Sequence, residues 1–317
     1  MKKILLCSFC CLIINAIQAQ SPKPDTVRTG IYITSIHDID FKQNEYTITF
    51  WLWLRYRNKS FNFDQNLEIP QAKSFSKLYT TIDSSNGIYM LMKLQCVMKD
   101  SWRINNFPFD KQRLRLGIEN SQYDSRSLVF AVDTLGNNFD PRFTLRGWAI
   151  DSFSMSSGIR PYETAFGDSS YPKPHTEYGT MRVRIVISRE AADLFAKIFL
   201  GMYVAFLIAF ICFYIHSDYI DSRFSLGVGA LFAVIGNKYI IDSTLPESTS
   251  FTLVDTLHGI TLFFIFVIVT ASVFSLKLLK NGKPGASKKF DKTAALIVLI
   301  VYALLNSWFI LKAQRQM

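Results

Sequence analysis

One apolar segment of the chain carries a row of small, polar and aromatic residues at intervals of three or four positions. Residues at this spacing share one face of an α-helix. The row consists of Asp221, Ser225, Gly229, Phe232, Gly236, Tyr239 and Ser243. Side chains of this kind can line a water-filled path, where polar groups avoid the cost of facing lipid. The row therefore predicts a helix that borders an aqueous path for ions.

Two residues of the row suggest how such a path would work. A ring of Asp221 at the inner mouth would favour cations, and a ring of Phe232 midway could close the path by dewetting. Small residues such as Ser225 and Gly229 equally permit helices to pack closely without any path. Lys238 would oppose cations if it faced the path, or it could extend its ammonium group toward the membrane surface. The residues of this segment alone leave both interpretations open.

Four apolar segments in the second half of the chain must position this row. At about 1.5 Å per residue, each can cross, or nearly cross, a ~30 Å hydrocarbon core. We predict membrane-spanning helices at about 192–215, 223–243, 250–276 and 291–313. The connection from 277 to 292 carries six lysines and no acid before Asp291. Such a basic connection is typical of a cytoplasmic loop.

The first 19 residues have the pattern of a secretory signal peptide. Lys2 and Lys3 precede an apolar stretch, Ile4–Ile14, and Ala16 and Ala19 offer small residues for cleavage. The alternative is an uncleaved anchor, and in either case the domain that follows is exported. Export places that domain in the periplasm or outside the cell, and the chain in the inner (cell) membrane with its lysine-rich connection in the cytoplasm.

Residues 20–190 carry the signals of an all-β domain. Tyr46–Tyr56 and Met181–Ser188 alternate or are rich in β-branched and aromatic residues, and Ser84–Gly87 is typical of a tight turn. Many short strands of this kind predict an immunoglobulin-like β-sandwich. The predicted fold is therefore an all-β sandwich extracellular domain, followed by an all-α four-helix transmembrane domain at 191–317. Because only Cys96 and Cys212 lie beyond the signal segment, we predict no disulfide.

Several classes of function are disfavoured by composition and motifs. The net charge of +10 does not predict a nucleic-acid partner, because the lysines concentrate beside the apolar segments. The four histidines are scattered, and no nucleophile elbow, phosphate loop or metal motif is present. We therefore expect no enzymatic activity, no cofactor and no metal site.

The segment Asn106–Gln112, which reads NFPFDKQ, resembles the core of the signature loop of pentameric ligand-gated ion channels, the Cys-loop superfamily. In animal members two cysteines bracket this loop, whereas Asp100 and Leu114 stand at those positions here. Bacterial members also lack these cysteines. Further resemblances follow in the order of the family along nearly the whole exported chain, at Trp51–Tyr56, Asn86 and Gly87, Arg189, and Leu245 and Pro246.

The resemblance implies an interface at which the sandwich acts on the helices. Its expected members are Asp40, Phe107, Pro108, Phe109, Asp110, Arg189 and Pro246. Asp110 is the expected partner of Arg189, and Asp40 could join them. As residues alone, without the motif, Asp110 and Arg189 are better explained as ordinary surface charge. The family usually has a proline in its first membrane helix, and 192–215 has none.

The resemblance also implies an agonist site between neighbouring subunits. Tyrosines could hold an ammonium group by cation–π attraction, or they could be structural. The candidate residues are Tyr123, Tyr162, Tyr171 and Tyr178.

Together these features predict a subunit of a pentameric ligand-gated channel that is selective for cations. Its expected partners are four further copies of the same chain, membrane lipid, a small-molecule or proton agonist, and permeant cations. The alternative is a membrane sensor of the same architecture that binds a periplasmic solute and conducts no ions.

Overall fold

The computed structural model describes residues 23–134, 138–140, 142 and 144–315. The signal segment predicted at 1–19 lies outside the described residues. Among the described residues of the first half of the chain there are nine β-strands, numbered β1 to β9 in chain order: Asp25–Asp40, Glu45–Tyr56, Leu67–Glu68, Ala72–Asp83, Ile88–Lys99, Lys111–Asn120, Leu128–Val132, Trp148–Tyr162 and Thr176–Arg189.

The strands form two sheets that pack face to face. One sheet has the order β4-β5-β2-β1-β7 and the other the order β3-β6-β9-β8. All neighbours are antiparallel except β1 and β7, which are parallel. Along the central strands, alternate residues point into the core, so that Phe50 and Leu52 on β2 and Val183 and Ile185 on β9 are almost fully buried. The expected β-sandwich is confirmed.

Four long helices follow, and each is long and apolar enough to cross a membrane. They are α1 at Ala191–Phe210, α2 at Ile220–Asp242, α3 at Leu253–Lys280 and α4 at Pro284–Arg315. A 3₁₀ turn, Ile211–Tyr214, extends α1 toward the next connection. The expected four-helix membrane domain is therefore confirmed as well.

The helix ends differ most from the sequence-based bounds around the lysine-rich connection. Only 281–283 lies outside helices there, because α3 continues to Lys280 and α4 begins at Pro284. Hydropathy marks where a helix enters hydrocarbon and not where its hydrogen bonds begin, which explains the difference. Proline is well suited to a first helical position, where its missing N–H would have no helical partner, and Gly282 supplies the left-handed conformation (φ 72°) that ends the preceding helix.

An ion pair between Asp100 and Arg115 closes the signature loop at its base. The Asp100 carboxylate accepts hydrogen bonds from the Arg115 backbone N–H at 3.2 Å and from Arg115 Nε at 3.1 Å, and it also pairs with Nη2 of the same arginine. The Ser101 backbone N–H donates to Asp100 as well, at 2.8 Å. Asp100 thereby ties the end of β5 to β6 on either side of the signature loop. Cys96 and Cys212 are free and buried.

We predict that Asp100→Ala lowers the free energy of unfolding by about 1–3 kcal/mol, because it removes a buried acceptor of charge-assisted hydrogen bonds. Thermal or chemical unfolding of the purified protein measures the loss. Asp64→Ala is a matched control, since Asp64 pairs with Lys77 at 3.2 Å on the surface with half of its side chain exposed and such pairs contribute at most about 1 kcal/mol. Equal losses in the two variants would contradict a special role for the Asp100 ion pair.

Candidate functional site

Helix α2 has two opposite faces of different character. Its buried residues, Arg223, Gly227, Ala230, Val234 and Ile241, pack against the other helices of the same chain. A methyl group at Gly227 would lie 2.4 Å from Cγ2 of Val269 on α3, so glycine allows the close approach of these two helices there. The opposite face is exposed in the single chain, and it carries all seven residues of the predicted row: Asp221, Ser225, Gly229, Phe232, Gly236, Tyr239 and Ser243.

The two largest side chains of this row stand clear of the rest of the chain. Phe232 is 70% exposed and Tyr239 is 75% exposed. A side chain added at Gly229 or Gly236 would meet nothing within 4 Å. In this chain, packing between its own helices therefore does not account for the small residues of the row.

Arg223 lies on the buried face of α2 and is 1% exposed. Its guanidinium group donates to Asp291 of α4 at 2.7 Å and to the Ile215 carbonyl at 3.1 Å. Three serine hydroxyls surround this ion pair and bond to one another at 2.8–2.9 Å: Ser217, Ser275 and Ser287. The positive charge that follows Asp221 by two positions is thus neutralised inside the subunit.

Lys238 is neutralised in a similar way near the other end of α2. Its Nζ donates to Asp242 at 2.5 Å and to Asp255 of α3 at 2.8 Å. Asp255 also forms a capping box with Thr252 at the start of α3, which fixes the carboxylate in place. Lys238 therefore bridges two helices on the flank of α2 and lies outside the exposed row.

Asp221 remains as the charged member of the exposed row. It lies in the first turn of α2, where a carboxylate interacts favourably with the positive end of the helix dipole. Among the described residues, none forms a hydrogen bond or an ion pair with its side chain. The exposed face of α2 thus presents a single acid at this end.

A polar junction joins α1, α2 and α3 in the half of the helices nearest the sandwich. His258 is fully buried, with Nε2 2.9 Å from Oδ1 of Asn237 and Nδ1 2.8 Å from the Val254 carbonyl oxygen. Nδ2 of Asn237 in turn donates to the Ile198 carbonyl at 3.2 Å. Because buried polar groups are costly without partners, this chain of bonds fixes the rotation of α2 about its axis.

The end of the sandwich nearest the helices is organised around Arg189. Its Nε donates to Asp110 at 3.0 Å, and both side chains are largely buried. The guanidinium carbon also lies 4.0 Å from the Trp148 ring centroid, 4.8 Å from that of Phe41 and 5.0 Å from that of Phe107. A cation enclosed by three aromatic rings and one carboxylate is held in a single orientation.

Asp40 does not belong to this arrangement. Its carboxylate accepts from the Gln43 backbone N–H at 2.8 Å, within the turn between β1 and β2. The neighbouring Phe41 takes the place beside Arg189 instead, because the chain turns after β1 and directs the aromatic ring inward. No hydrogen bond or ion pair links Asp40 to Arg189 among the residues that the structure describes.

The signature loop contacts the start of two membrane helices. Phe109 packs on Phe195 of α1 with ring centroids 5.4 Å apart. The Leu253 backbone N–H, at the start of α3, donates to the Asn105 carbonyl at 2.8 Å. Pro246 lines a cleft of 680 Å³ beside this loop, together with residues 247–250 of the linker between α2 and α3. Motion of the loop can therefore reach α1, α3 and this linker directly.

The structure brings two of the four candidate tyrosines together. Tyr162 and Tyr178 pack edge to face across the β8–β9 hairpin with ring centroids 5.7 Å apart, and the Phe166 ring centroid lies 5.6 Å from that of Tyr162. The Tyr162 hydroxyl donates to Glu119 at 2.8 Å. Burial and this bond raise the pKa of Tyr162 well above its ordinary value. Phe166, which is 63% exposed, was missed by the sequence analysis.

The other two tyrosines have local partners. The Tyr171 hydroxyl donates to Asp124 at 2.8 Å, and its ring already carries the guanidinium of Arg126 at 4.8 Å. Tyr123 packs on Phe61 with centroids 4.8 Å apart and donates to the Ser60 carbonyl. These contacts explain both residues without a ligand.

Comparison with known proteins gives distant relatives that cover most of the chain. A proton-gated ion channel of Gloeobacter violaceus is 22% identical over 307 residues, which covers 90% of this chain and 82% of that protein. A glutamate-gated chloride channel of Drosophila melanogaster is 19% identical over 275 residues, or 77% and 57% of the two chains. The gamma-aminobutyric acid receptor subunit gamma-4 of Gallus gallus is 20% identical over 287 residues, or 83% and 61%. No protein-family model matches.

Three findings support the same family: the order of strands and helices, the signature loop and these relatives. These relatives are members of the superfamily of pentameric ligand-gated ion channels, and the chain is similar to them at low identity over most of its length. This confirms the family resemblance that the motif at Asn106–Gln112 suggested. The relatives are channels and receptor subunits, which agrees with the expectation that the chain is not an enzyme. The chain spans about three fifths of the length of the two animal proteins.

Sequence reasoning missed the side chains that contact the charged residues Arg223, Lys238 and Arg189. Asp291 and Asp255 neutralise Arg223 and Lys238 from other helices. Phe41 and Trp148 enclose Arg189. A local pattern does not encode these contacts, since each joins segments far apart in the sequence.

Proposed function

We propose that five copies of this chain assemble into a cation-selective channel whose path is lined by the exposed face of α2. The observation that carries this proposal is the separation of charge on that helix. Asp221 is exposed on one face, whereas Arg223 and Lys238 are each paired with carboxylates of the same subunit. A five-fold ring of Asp221 without nearby free cations would concentrate positive ions at the mouth.

The proposed channel has a defined orientation in the membrane as well as a selectivity for cations. Residues 20–190 would form the extracellular domain and 191–317 the membrane domain, with the lysines from Lys277 to Lys292 on the cytoplasmic side. Asp221 then lies at the cytoplasmic mouth. The names of the relatives leave the ion open, because one of them is a chloride channel. The charge pattern of α2 is what favours cations here.

The agonist site is proposed at the aromatic group formed by Tyr162, Phe166 and Tyr178, at a boundary between extracellular domains. Three rings within 6.3 Å of one another offer faces for an ammonium group, and protons are the alternative agonist. The remaining two tyrosines would support the surrounding loops. A bound agonist would act through the hairpin of β8 and β9, which ends at Arg189.

The cluster around Arg189 is proposed as the coupling element, comprising Phe107, Pro108, Phe109, Asp110 and Pro246 in addition to the arginine. It includes Phe41 and Trp148 and does not need Asp40. Because β9 runs directly into α1, a change in the sandwich would reach the helices at this point. Such an element can be biased by ligand only if the two states differ in these contacts.

We expect Phe232→Ala to raise the spontaneous open probability, because a narrower apolar ring excludes water and its removal widens and wets the path. The experiment records the purified protein in planar bilayers during stepwise acidification, with pentamers verified by native mass spectrometry. The expected result is an increase of about tenfold in basal current relative to the unsubstituted chain. A tenfold change corresponds to a shift of about 1.4 kcal/mol in the free energy of opening.

Phe224→Ala is the matched control for this variant. Phe224 is also exposed on α2, and at 100° per residue it lies about 80° around the helix from Phe232. It should leave the basal current unchanged. A basal current that rises with Phe224→Ala, and not with Phe232→Ala, would place the constriction on another face.

A further inference from the structure

Four arginines converge on a concave surface of the sandwich that no part of the proposed channel mechanism uses. The depression has a volume of 520 Å³ and lies on the outer side of the sheet β3-β6-β9-β8. Its basic residues are Arg103, Arg113, Arg115 and Arg184. Smaller side chains, among them Ser154 and Val186, line it between the arginines.

Strand register brings these arginines together. Arg115 of β6 lies directly opposite Arg184 of β9, and Arg113 lies opposite Val186. Ser154 of β8 lies on the other side of Arg184. Since alternate residues share a face, Arg113, Arg115 and Arg184 all point away from the core formed by Leu114 and Ile185.

The positive charge of the depression is not balanced by the chain. Asp100 is the single carboxylate that lines it, and it pairs with Arg115. Within the described part of the chain, no ion pair involves Arg103, Arg113 or Arg184. Asp100 offsets the charge of Arg115, which lies directly opposite Arg184, but the remaining arginines leave the depression with a net positive charge that a bound anion would offset.

We propose that this depression is a binding site for a phosphate-type dianion. The guanidinium group presents its donors in a planar fork that matches two oxygens of a phosphate. Three unpaired guanidinium groups around one hollow favour an anion with more than one charge over chloride. The phosphate could belong to a free solute or to the headgroup of a lipid, since the same depression lies near the membrane end of the sandwich.

One buried side chain links the site to the coupling cluster. Gln112 is 1% exposed and lines the depression. Its amide oxygen accepts from the Arg103 backbone N–H at 3.0 Å, and its Nε2 donates to the Arg103 carbonyl at 2.9 Å and to Asp110 at 2.6 Å. An anion that moves Arg103 therefore acts, through Gln112, on the carboxylate that holds Arg189. Phosphate binding itself does not depend on conduction, so the two proposals are tested separately.

The test measures phosphate binding to the full-length protein in neutral detergent. The unfolding temperature is followed against inorganic phosphate, with ionic strength held constant by sodium chloride, and calorimetry gives the affinity. Arg113→Gln/Arg184→Gln removes two arginines that form no ion pair. Arg146→Gln makes the same change at an exposed arginine outside the depression.

We expect phosphate to raise the unfolding temperature of the unsubstituted chain and of Arg146→Gln. In the double variant the affinity should fall by about tenfold or more, since each lost arginine removes a charge-assisted hydrogen bond. Without phosphate, the double variant should unfold at the same temperature as the unsubstituted chain or higher, because repulsion is relieved. No response in the unsubstituted chain, or an equal response in all three proteins, would overturn the proposal for free phosphate.

A second arm separates the two sources of phosphate. The same proteins are placed in nanodiscs of phosphatidylcholine alone, with inorganic phosphate added, or in nanodiscs that contain phosphatidic acid. A stabilisation by soluble phosphate that the double variant loses identifies a solute site, and one that appears only with phosphatidic acid identifies a lipid site. If neither condition distinguishes the double variant from Arg146→Gln, the site does not exist.

Discussion

Arg223→Ala is expected to lower the free energy of unfolding by about 3–5 kcal/mol, because it leaves Asp291 buried without its partner. Arg223 is 1% exposed and joins α2 to α4 and to the connection at Ile215. The loss should appear as aggregation or as a lower unfolding temperature in detergent. Size-exclusion chromatography and thermal unfolding measure it.

The double variant Arg223→Met/Asp291→Leu is the control for this effect. It removes both charges together, and replacing a buried pair with apolar residues of similar size is often neutral or stabilising. We therefore expect it to recover most of the stability lost in Arg223→Ala. If the single variant unfolds like the unsubstituted chain, the buried ion pair does not hold the membrane domain together.

Arg189→Lys is expected to reduce opening by about tenfold while leaving assembly intact. Lysine keeps the positive charge beside Asp110 but lacks the planar fork and the stacking of the guanidinium on Trp148, which lies 4.0 Å away. A change of this size lies within the usual range of coupling free energies, about 1–3 kcal/mol. The measurement is the open probability in the Phe232→Ala background, which requires no agonist.

Arg146→Lys is the matched control variant for Arg189→Lys. Arg146 is exposed and lies close to Trp148 in sequence, so a general effect of replacing arginine in this region would appear in both variants. Equal open probabilities in Arg189→Lys and in the parent would show that the cluster is a static support. A reduced amount of pentamer would instead point to assembly, and native mass spectrometry reports that amount.

Sequence reasoning captures the features of this fold that depend on local pattern. The apolar length of 192–215 and its neighbours is enough to predict four helices, and the alternation at Met181–Ser188 is enough to predict a strand. The 3.6-residue period also predicts the shared face of Asp221, Phe232 and Tyr239, which the structure leaves exposed in the single chain. Their role in conduction is still a prediction.

The interactions that orient these elements depend on contacts across the fold. Arg223 and Lys238 are simple charges in the sequence, and only the packing of α3 and α4 shows that each has its own carboxylates. Asp40 and Phe41 are adjacent, and the geometry of a turn decides that the ring rather than the acid lies beside Arg189. Local pattern could not distinguish these alternatives.

The central claim is that Asp221 lies at the mouth of a cation path, and the reversal potential across a salt gradient tests it most directly. The recording is made in planar bilayers on Phe232→Ala, with Asp221→Asn or Asp193→Asn added; Asp193 is an exposed acid in the first turn of α1. The account predicts a reversal potential near that of the cation in the parent and in Asp193→Asn, and a clear shift toward zero in Asp221→Asn. A parent that reverses at the chloride potential, or an Asp221→Asn variant that reverses where its parent does, would contradict it.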